Sequence, residues 1–491
     1  MNIKEIRQFT TDTFFIGVLR LILRFRGIIT IPLLINAYGI KGYGLYVQIG
    51  IIMNMLTYLF SLRLPASSIR FLSSKINRKS ELSHGFGSLI TLSLIFNSIG
   101  FFIIFIFFLL KKDFLSLLAF GETRYSSFIL LIIFWTISSV LYELSNAFLR
   151  TLNKIKLFSL INLLSTLTGI LIVVIFSLIK SPLEVLIVLL VINSFLFYIV
   201  NMFLITKMIG LPKPNLLHAK RFLSFSIPLI PLSLLRWVIN STDRICITHF
   251  LGLSENGIYS VCYAIGDLIS IYSYSIFFVL FPTISRHWDH GNYDTVRKYL
   301  LYSSSILLFL SVPSSIILFS LSDNILKVIS IKEVTEGSFL VGLISSRAML
   351  AGLFQINLYM IYLLNKTVMT TWIFCVGAII NLLFNLFLIP FIGIKGAAVS
   401  SIVAYGTLYS ITLAFTKKII GHFTIEPIFL MKLLLAGSLM LIHIKIFIMS
   451  KFTNVVVSSL LGLVFFLFNV RMLNLFNKQQ IAIFKNIILI K

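Results

Sequence analysis

The sequence has few acidic residues, few cysteines and few charged residues of any kind. Asp and Glu together number 16 among 491 residues, and all charged residues make up 12% of the chain. Soluble globular domains carry about 25% charged residues, so this composition excludes a soluble enzyme and a disordered protein. The three cysteines, Cys246, Cys262 and Cys375, lie inside apolar runs. Their number and positions exclude a disulfide scaffold and a cysteine-based zinc site.

Motifs of nucleotide hydrolysis and of common hydrolases are also missing. The sequence contains no Gly-x-x-x-x-Gly-Lys-Ser/Thr loop, no His-Glu-x-x-His and no Gly-x-Ser-x-Gly. A membrane polymerase or ligase of glycans needs catalytic or acidic residues in a sizeable outer loop. The candidate outer segments here hold few acids, such as Asp113 and Glu122 in one of them. We therefore expect a protein that is not an enzyme.

Long apolar runs are what the sequence has in abundance. Hydrophobic residues make up 58% of the chain, and the mean hydropathy is +1.02. A hydrocarbon core about 30 Å thick is crossed by roughly 20 apolar residues of helix. The runs predict an all-α polytopic membrane protein with about fourteen transmembrane helices. Their predicted centres lie near Leu23, Met53, Gly100, Ser138, Thr168, Asn193, Leu235, Ser270, Phe309, Leu350, Ile380, Tyr405, Leu439 and Leu463. The segment Phe114–Phe120 is too short to span and is expected in a loop, and the longest loop is expected at Arg63–Gly85.

The distribution of cations predicts the orientation in the membrane. Lys and Arg prefer cytoplasmic loops. With the N-terminus inside, twenty-four of them fall in inner segments and nine in outer segments. We therefore expect a multi-pass protein of the cytoplasmic (inner) membrane, with both termini in the cytoplasm and no cleaved signal peptide. This topology explains most of the net charge of +25, so membrane lipids are expected partners and nucleic acid is not.

A weak internal repeat indicates a duplicated chain. Residues 38–46 resemble residues 251–259, with two glycines and a tyrosine matching at an offset of 213. Residues 152–154 match residues 364–366 at an offset of 212. Each copy holds six predicted spans, an even number, so the two copies share one orientation, as in transporters built from parallel repeats.

The repeat also predicts the domain organisation. We expect an N-terminal six-helix lobe over 1–210, a C-terminal six-helix lobe over 211–422, and two additional helices with a cytoplasmic tail over 423–491. Two helical lobes joined by short loops are typical of transporters. In such proteins the substrate cavity lies between the lobes, and rocking of one lobe against the other gives alternating access.

Arginines inside the predicted spans are the first candidate site. A charge at the bilayer centre costs at least about 2.5–3.5 kcal/mol, so it faces a cavity or a partner rather than lipid. Arg20 and Arg24 share one face of the first span, Arg236 lies on the seventh, and Arg347 lies on the tenth. Because arginine forks match phosphate oxygens, these four are predicted to bind an anionic substrate. Structural pairing with an acid is the alternative for each.

Three acids inside the spans are the second candidate site. Glu143, Asp243 and Asp267 lie on the fourth, seventh and eighth predicted spans. A buried acid can carry a coupling ion, or it can pair with an arginine, as Asp243 would with Arg236 or Arg244. No metal site and no cofactor are expected. Coupling to a gradient of H+ or Na+ stays open.

Several motifs occur in a fixed order along the chain and carry a family resemblance. They are the arginine-bearing first span with Gly39 and Tyr43-Gly44-Leu45-Tyr46, then Thr242-Asp243-Arg244 with Phe250-Leu251-Gly252 and Gly257-Ile258-Tyr259, then Phe281-Pro282-Thr283-Ile284-Ser285, and finally Leu388-Ile389-Pro390 with Gly393-Ile394-Lys395-Gly396-Ala397-Ala398. In this order the chain resembles the multidrug/oligosaccharidyl-lipid/polysaccharide exporter superfamily, and within it the Wzx-like O-antigen and polysaccharide flippases. The resemblance covers about residues 10–420.

The resemblance implies both a fold and a function. The implied fold is MATE-like, with two six-helix lobes and two added C-terminal helices. The implied substrate and partner is a polyprenyl-diphosphate-linked oligosaccharide, a unit of lipopolysaccharide O-antigen or another surface polysaccharide, which is moved to the outer leaflet. Other glycan-assembly proteins are further implied partners. A small-molecule or drug antiporter of the same superfamily is the first alternative, and a membrane polymerase or ligase of the same pathway is the second.

Overall fold

The structure is a computed structural model and is helical over the parts of the chain that it describes. It describes residues 3–76, 78–329, 337–421, 425–447 and 453–473; the side chains of 3–25, 278, 328–329, 338, 445–447, 453–456 and 458 are left undescribed. The helices are α1 (Ile3–Phe60), α2 (Leu64–Leu72), α3 (Lys79–Phe120), α4 (Ser127–Thr151), α5 (Ile155–Leu178), α6 (Leu183–Ile209), α7 (Ala219–Ser226), α8 (Ile230–Leu251), α9 (Leu253–Gly266), α10 (Ser270–Asp289), α11 (Tyr293–Ser320), α12 (Ser322–Ile329), α13 (Ser338–Leu363), α14 (Thr367–Ile392), α15 (Ile394–Ile420), α16 (Pro427–Phe447) and α17 (Thr453–Met472).

The helices follow from the apolar runs, because backbone polar groups in hydrocarbon must be satisfied within the segment itself. Within the described residues, twelve helical stretches are long and apolar enough to cross a membrane. Gly39 divides α1 into two segments, and short 3-10 turns join α7 to α8 and α9 to α10. Counted this way, fourteen long segments are described, and each contains one predicted centre. The all-α architecture is confirmed, and twelve of the fourteen predicted spans are candidate membrane helices within the described residues.

Two loop predictions are wrong. The segment Phe114–Phe120, expected in a loop, is the continuation of α3 beyond a kink at Lys111 (φ −145°, ψ 44°). The helix continues because no glycine or proline interrupts it, and the charged side chains at 111–113 lie exposed on its surface. It ends at Gly121 (φ 72°), whose N–H donates to the Leu117 carbonyl at 2.9 Å.

The stretch Arg63–Gly85, expected to be the longest loop, contains the amphipathic helix α2. Pro65 stands in the first turn of α2, where a missing N–H costs nothing. The Ser67 hydroxyl donates to the Phe222 carbonyl of α7 at 2.9 Å, and Phe71 packs against the Phe222 and Phe225 rings. The two short helices therefore pack against each other.

The chain divides into two compact units, one formed by 1–260 with 385–394 and the other by 261–384 with 395–491. The first unit has a core to which α2–α7 contribute, with the Phe86 and Phe148 rings stacked at a centroid distance of 3.9 Å. The second has a core drawn mainly from α10, α11, α13 and α16. The lobes expected over 1–210 and 211–422 follow the repeat rather than this division and stay a prediction. The expected cytoplasmic tail beyond residue 473 lies outside the described residues.

The backbone repeats where the sequence repeats. Gly39 has φ 70° and ψ 174°, and its repeat equivalent Gly252 has φ 92° and ψ 173°. Only glycine adopts such values without strain, and each residue directly precedes a helical segment. In the second matched motif, Asn153 and Asn365 both adopt left-handed backbone, with φ 57° and 56°. The duplication is therefore visible in the conformation of matched residues.

A close helix crossing joins the matched glycines of the two repeats. A Cβ placed on Gly44 would lie 1.9 Å from the Leu253 carbonyl oxygen, and one on Gly257 would lie 2.4 Å from the Ile40 carbonyl oxygen. A side chain at either glycine would therefore collide with the backbone of the opposite helical segment. The second half of α1 and the start of α9 are packed backbone to backbone at this point.

Replacing Gly44 by Ala is expected to lower the stability of the protein. The added methyl group would meet backbone that cannot rotate away, and overpacking of this kind costs about 1–3 kcal/mol or more. The measurement is thermal unfolding in detergent. Unfolding is monitored by the labelling of the buried Cys246 and Cys262 thiols as they become exposed.

The matched control is Gly50→Ala, in the same helical segment, where a Cβ meets no atom within 4 Å. Both changes gain the same helix propensity. Equal melting temperatures for the two variants would contradict the crossing described above.

Candidate functional site

Glu143 of α4 lies among arginines of the first unit. Arg63 Nη1 is 3.9 Å from Glu143 Oε1, and Arg150 lies within electrostatic range of the same carboxylate. The Arg63 guanidinium carbon is 5.9 Å from the centroid of the Tyr58 ring, and Tyr58 is within range of Arg236 as well. We call these five residues the Glu143 cluster. The cluster therefore places two arginines, Arg63 and Arg150, near one carboxylate.

A left-handed turn determines the position of Arg63 in this cluster. Leu62 and Arg63, directly after α1, have φ values of 44° and 55°. Such values are uncommon for residues other than glycine. The sequence predicted Arg63 only as an inner-loop cation, because the pairing with Glu143 depends on this turn. The nearby Pro65 signals a turn but not its direction.

Asp243 of α8 is the second acid, and it is almost completely buried, with 1% of its surface exposed. The hydroxyl of Tyr259, which is also fully buried, donates to Asp243 Oδ2 at 2.7 Å. The backbone N–H of Arg244 donates to Oδ1 at 2.8 Å, so both carboxylate oxygens have donors. The Arg244 guanidinium donates to the Asn240 carbonyl at 3.1 Å and lies 5.9 Å from the centroid of the Tyr259 ring.

Asp267 and Arg347 form a buried ion pair in the second unit. Arg347 Nη1 donates to Asp267 Oδ1 at 2.9 Å, and the exposed fractions of the two side chains are 6% and 13%. Asp267 lies at the 3-10 turn between α9 and α10, and Arg347 lies on α13. The guanidinium carbon is 4.6 Å from the centroid of the Tyr405 ring and 5.2 Å from that of Tyr263. The Arg347 guanidinium thus lies near two aromatic rings, and such rings stabilise a desolvated cation.

The structure brings some of the predicted residues together. It pairs Arg347 with Asp267, and it brings Arg236 and Glu143 close to the same tyrosine. Arg20 and Arg24 lie on α1 as predicted, but their side chains are outside the described residues. The binding and coupling functions predicted for all of them stay predictions.

Sequence reasoning missed four tyrosines, Tyr58, Tyr259, Tyr263 and Tyr405, as well as Arg63 and Arg150. The sequence marks Tyr259 only as part of the repeat and of the family motifs, and it assigns no site role to the others. Tyr259 lies 16 residues after Asp243, and this spacing alone does not indicate that the two side chains meet. In the described part of the chain, no group of three or more His, Cys, Asp or Glu side chains could hold a metal ion.

The arginines of these sites can bind anions, and an arginine that is paired with a carboxylate can exchange it for another anion. A guanidinium fork binds two oxygens of a carboxylate or of a phosphate with the same geometry. An arginine that is already held by a carboxylate can therefore exchange it for a phosphate oxygen without moving far. No nucleophile with an adjacent base is present in the three clusters as described.

Comparison with known proteins gives one family and several relatives. A family model described as polysaccharide biosynthesis protein matches residues 9–288. The chain is 25% identical over 256 residues to an uncharacterized membrane protein of Methanocaldococcus jannaschii, covering 50% of this chain and 49% of that protein. It is 22% identical over 196 residues to the probable low-salt glycan biosynthesis flippase of Haloferax volcanii, covering 40% and 42%. These matches span half or less of the length of either relative.

Solved structures share the fold. The lipid II flippase MurJ, in an inward closed conformation, superposes with a TM-score of 0.68 at 18% identity, covering 94% of this chain and 98% of that one. An inward-facing MATE-family multidrug resistance transporter of the MOP superfamily gives 0.62 at 12% identity, covering 82% and 98%. The MATE-like fold predicted from the motifs is confirmed, and the family match supports the predicted resemblance to proteins of polysaccharide biosynthesis. The proteins compared here that carry a functional name are flippases or transporters, not enzymes.

Tyr259→Phe is expected to destabilise the protein, because it removes the hydroxyl donor of a buried carboxylate. A hydrogen bond to a charged group contributes about 1.5–3 kcal/mol. The control is Tyr293→Phe, which removes a hydroxyl from a tyrosine that is 52% exposed and keeps the ring contact with Trp288. The measurement is the melting temperature of each purified variant. A Tyr259→Phe protein as stable as the control would contradict the hydrogen bond to Asp243.

A double-mutant cycle is expected to reveal strong coupling between Asp267 and Arg347. Removing one partner of a buried ion pair leaves the other charge uncompensated and costs about 3–5 kcal/mol. Asp267→Asn with Arg347→Met should therefore be far less destabilising than the two single changes added together.

The control cycle uses Asp294→Asn and Arg297→Met. Their charged atoms are 3.9 Å apart, with 88% of the Asp294 side chain exposed. Exposed pairs couple by about 0–1 kcal/mol. Additive effects of Asp267→Asn and Arg347→Met would show that the two residues do not act as a pair.

Proposed function

Because the chain belongs to the polysaccharide biosynthesis protein family, we propose that it carries a polyprenyl-diphosphate-linked oligosaccharide across the cytoplasmic membrane. The cargo is a unit of O-antigen or another surface polysaccharide, and it moves from the inner to the outer leaflet by alternating access. The family match over residues 9–288 carries this proposal. The matched region includes the whole Glu143 cluster and Asp243 with its neighbours Arg244 and Tyr259. These charged residues of the first unit therefore lie in the part of the chain that the family model matches.

The head group of such a substrate is an anion, and the arginines are suited to it. We infer that Arg20, Arg24 and Arg236 hold the diphosphate, while the prenyl chain stays in lipid. The Glu143 cluster supports this assignment, because it gathers arginines beside one carboxylate, and a guanidinium can exchange a carboxylate for a phosphate oxygen. Basic segments on the inner side would attract the anionic head group before it enters.

Arg347 is proposed as a further phosphate ligand whose availability depends on Asp267. In the described state the carboxylate holds the guanidinium at 2.9 Å. A proton or a sodium ion on Asp267 would weaken that pair and free the arginine fork for a phosphate oxygen. Glu143 and Asp243 are further candidates for ion coupling or charge pairing. We propose that the transport uses an H+ or Na+ gradient and no cofactor, with glycan-assembly proteins as partners at the membrane.

The buried acids favour a second candidate, a small-molecule antiporter of the same superfamily. Such a transporter binds cationic drugs at acids within its helices. Asp243 and Asp267 are acids of that kind, although both have donors in the structure. The match to the polysaccharide biosynthesis protein family makes this candidate the weaker one.

Flipping of a fluorescent polyprenyl-diphosphate oligosaccharide in proteoliposomes tests the main proposal. The wild type is expected to flip it, and Arg24→Ala and Arg236→Ala should each slow flipping by about tenfold or more, since a hydrogen bond to a charged group contributes about 1.5–3 kcal/mol. Arg297→Ala removes a half-exposed arginine outside the clusters and should leave the rate unchanged.

Two results would contradict parts of the proposal. Equal flipping rates for the wild type and both variants would contradict the assignment of the arginines as diphosphate ligands. The proposed flippase function would still stand. No flipping under either an H+ or an Na+ gradient, together with gradient-driven efflux of a cationic dye, would favour the antiporter.

A further inference from the structure

A cavity of about 460 Å³ lies in the first unit and contains no residue of the three charge clusters. Its size is within the range of about 300–1,000 Å³ that is typical of small-molecule sites. The polar and aromatic part of its wall consists of Tyr38, Lys41, Arg124, Tyr125, Phe128 and Glu184. These residues come from three separate places along the chain: the kink in α1, the turn between α3 and α4 with the start of α4, and the start of α6.

The two cations of the cavity are fixed in place by one acid. Lys41 Nζ is 2.7 Å from Glu122 Oε1, and Arg124 Nε is 2.8 Å from Glu122 Oε2. The Arg124 guanidinium carbon also lies 4.6 Å from the centroid of the Tyr125 ring. Glu122 balances part of their charge and leaves further N–H groups of both to donate hydrogen bonds. The shared acid therefore brings the donors of both cations to one part of the cavity wall.

Two further polar groups of the wall are available to a ligand. The Tyr38 hydroxyl is buried, and within the described residues it has no hydrogen-bond partner. A buried hydroxyl without a partner costs free energy unless something else bonds to it. The Glu184 side chain, in the first turn of α6, is exposed, and its carboxylate forms no ion pair or hydrogen bond within the described part of the chain.

This set of groups selects against most ligand classes. Glu184 would repel a phosphate or a carboxylate, and Lys41 and Arg124 would repel an ammonium group. A lipid chain would leave the buried Tyr38 hydroxyl without a hydrogen-bond partner and would offer no acceptor to the remaining N–H groups of Lys41 and Arg124. A sugar ring fits them, because its hydroxyls both donate and accept, and its C–H face can pack on an aromatic ring such as Tyr125.

We propose that this cavity binds a sugar ring of the glycan carried by the transporter. In the predicted orientation the three places lie on the outer side of the membrane, where the oligosaccharide emerges. The inference rests on the proposed function, since it takes the glycan as the cargo. The cavity recognises the saccharide part, whereas the arginines of the spans recognise the diphosphate.

The test uses the full-length protein in lipid nanodiscs. The probe is the oligosaccharide released by mild acid from the polyprenyl-diphosphate pool of the source cells, so it carries sugars but no diphosphate. Binding is measured by calorimetry and by saturation-transfer NMR. We expect Glu184→Ala to raise the Kd roughly tenfold and Tyr38→Phe to raise it about threefold, as expected for a charged and a neutral hydrogen bond. Asp113→Ala is the control, since Asp113 is an exposed acid of the same predicted side outside the cavity wall.

The outcomes distinguish this inference from the proposed function. Weaker binding by both cavity variants, with melting temperatures and the control unchanged, supports the saccharide site. Equal Kd values for wild type and Glu184→Ala would overturn it, as would displacement of the probe by inorganic phosphate. Flipping of the lipid-linked substrate without binding of the released saccharide would overturn the inference and leave the function standing. Absence of both binding and flipping would overturn both.

Discussion

A charge that enters hydrocarbon must have a partner, and this constraint governs how the helices of the chain meet. Asp267 pairs with Arg347, and Asp243 accepts from the Tyr259 hydroxyl. Each contact joins two elements that are far apart in sequence or separated by a break. In the second unit, the turn that interrupts α9 and α10 lies where Asp267 meets the guanidinium. The helix breaks and the charge contacts thus form a single arrangement, and neither would be stable in lipid without the other.

The same constraint would separate the parts of the proposed substrate that each region could recognise. Arginines inside the spans supply charge where water is scarce, which suits a diphosphate that must leave the aqueous phase. At the connections water is close and charged groups are easily solvated, and there the charges of Lys41 and Arg124 are balanced by Glu122 and Glu184 together. A balanced site has little preference for ions and a greater preference for hydroxyls. Head group and glycan would therefore be held by different chemistry at different depths.

The sequence predicted the fold well because the bilayer sets the length of every apolar run. All fourteen predicted centres lie in long helical segments, and the matched residues Gly39 and Gly252 share an unusual conformation. It failed where charge was read as a break, as at Phe114–Phe120, since exposed charged side chains do not end a helix. The partners of the candidate residues could not be predicted, because Arg63 and Tyr405 reach them through tertiary packing, which no spacing along the chain encodes.

The crossing of the two glycine motifs has an evolutionary consequence. Gly44 faces Leu253, and Gly257 faces Ile40, and these are equivalent positions of the two repeats. Reciprocal contact between equivalent positions is the signature of an isologous two-fold interface. The contact is therefore what a homodimer of six-helix chains would retain after its gene had been duplicated and the two copies had fused. In such an ancestor one glycine substitution would have altered both sides of the interface at once, whereas after fusion each half could diverge alone.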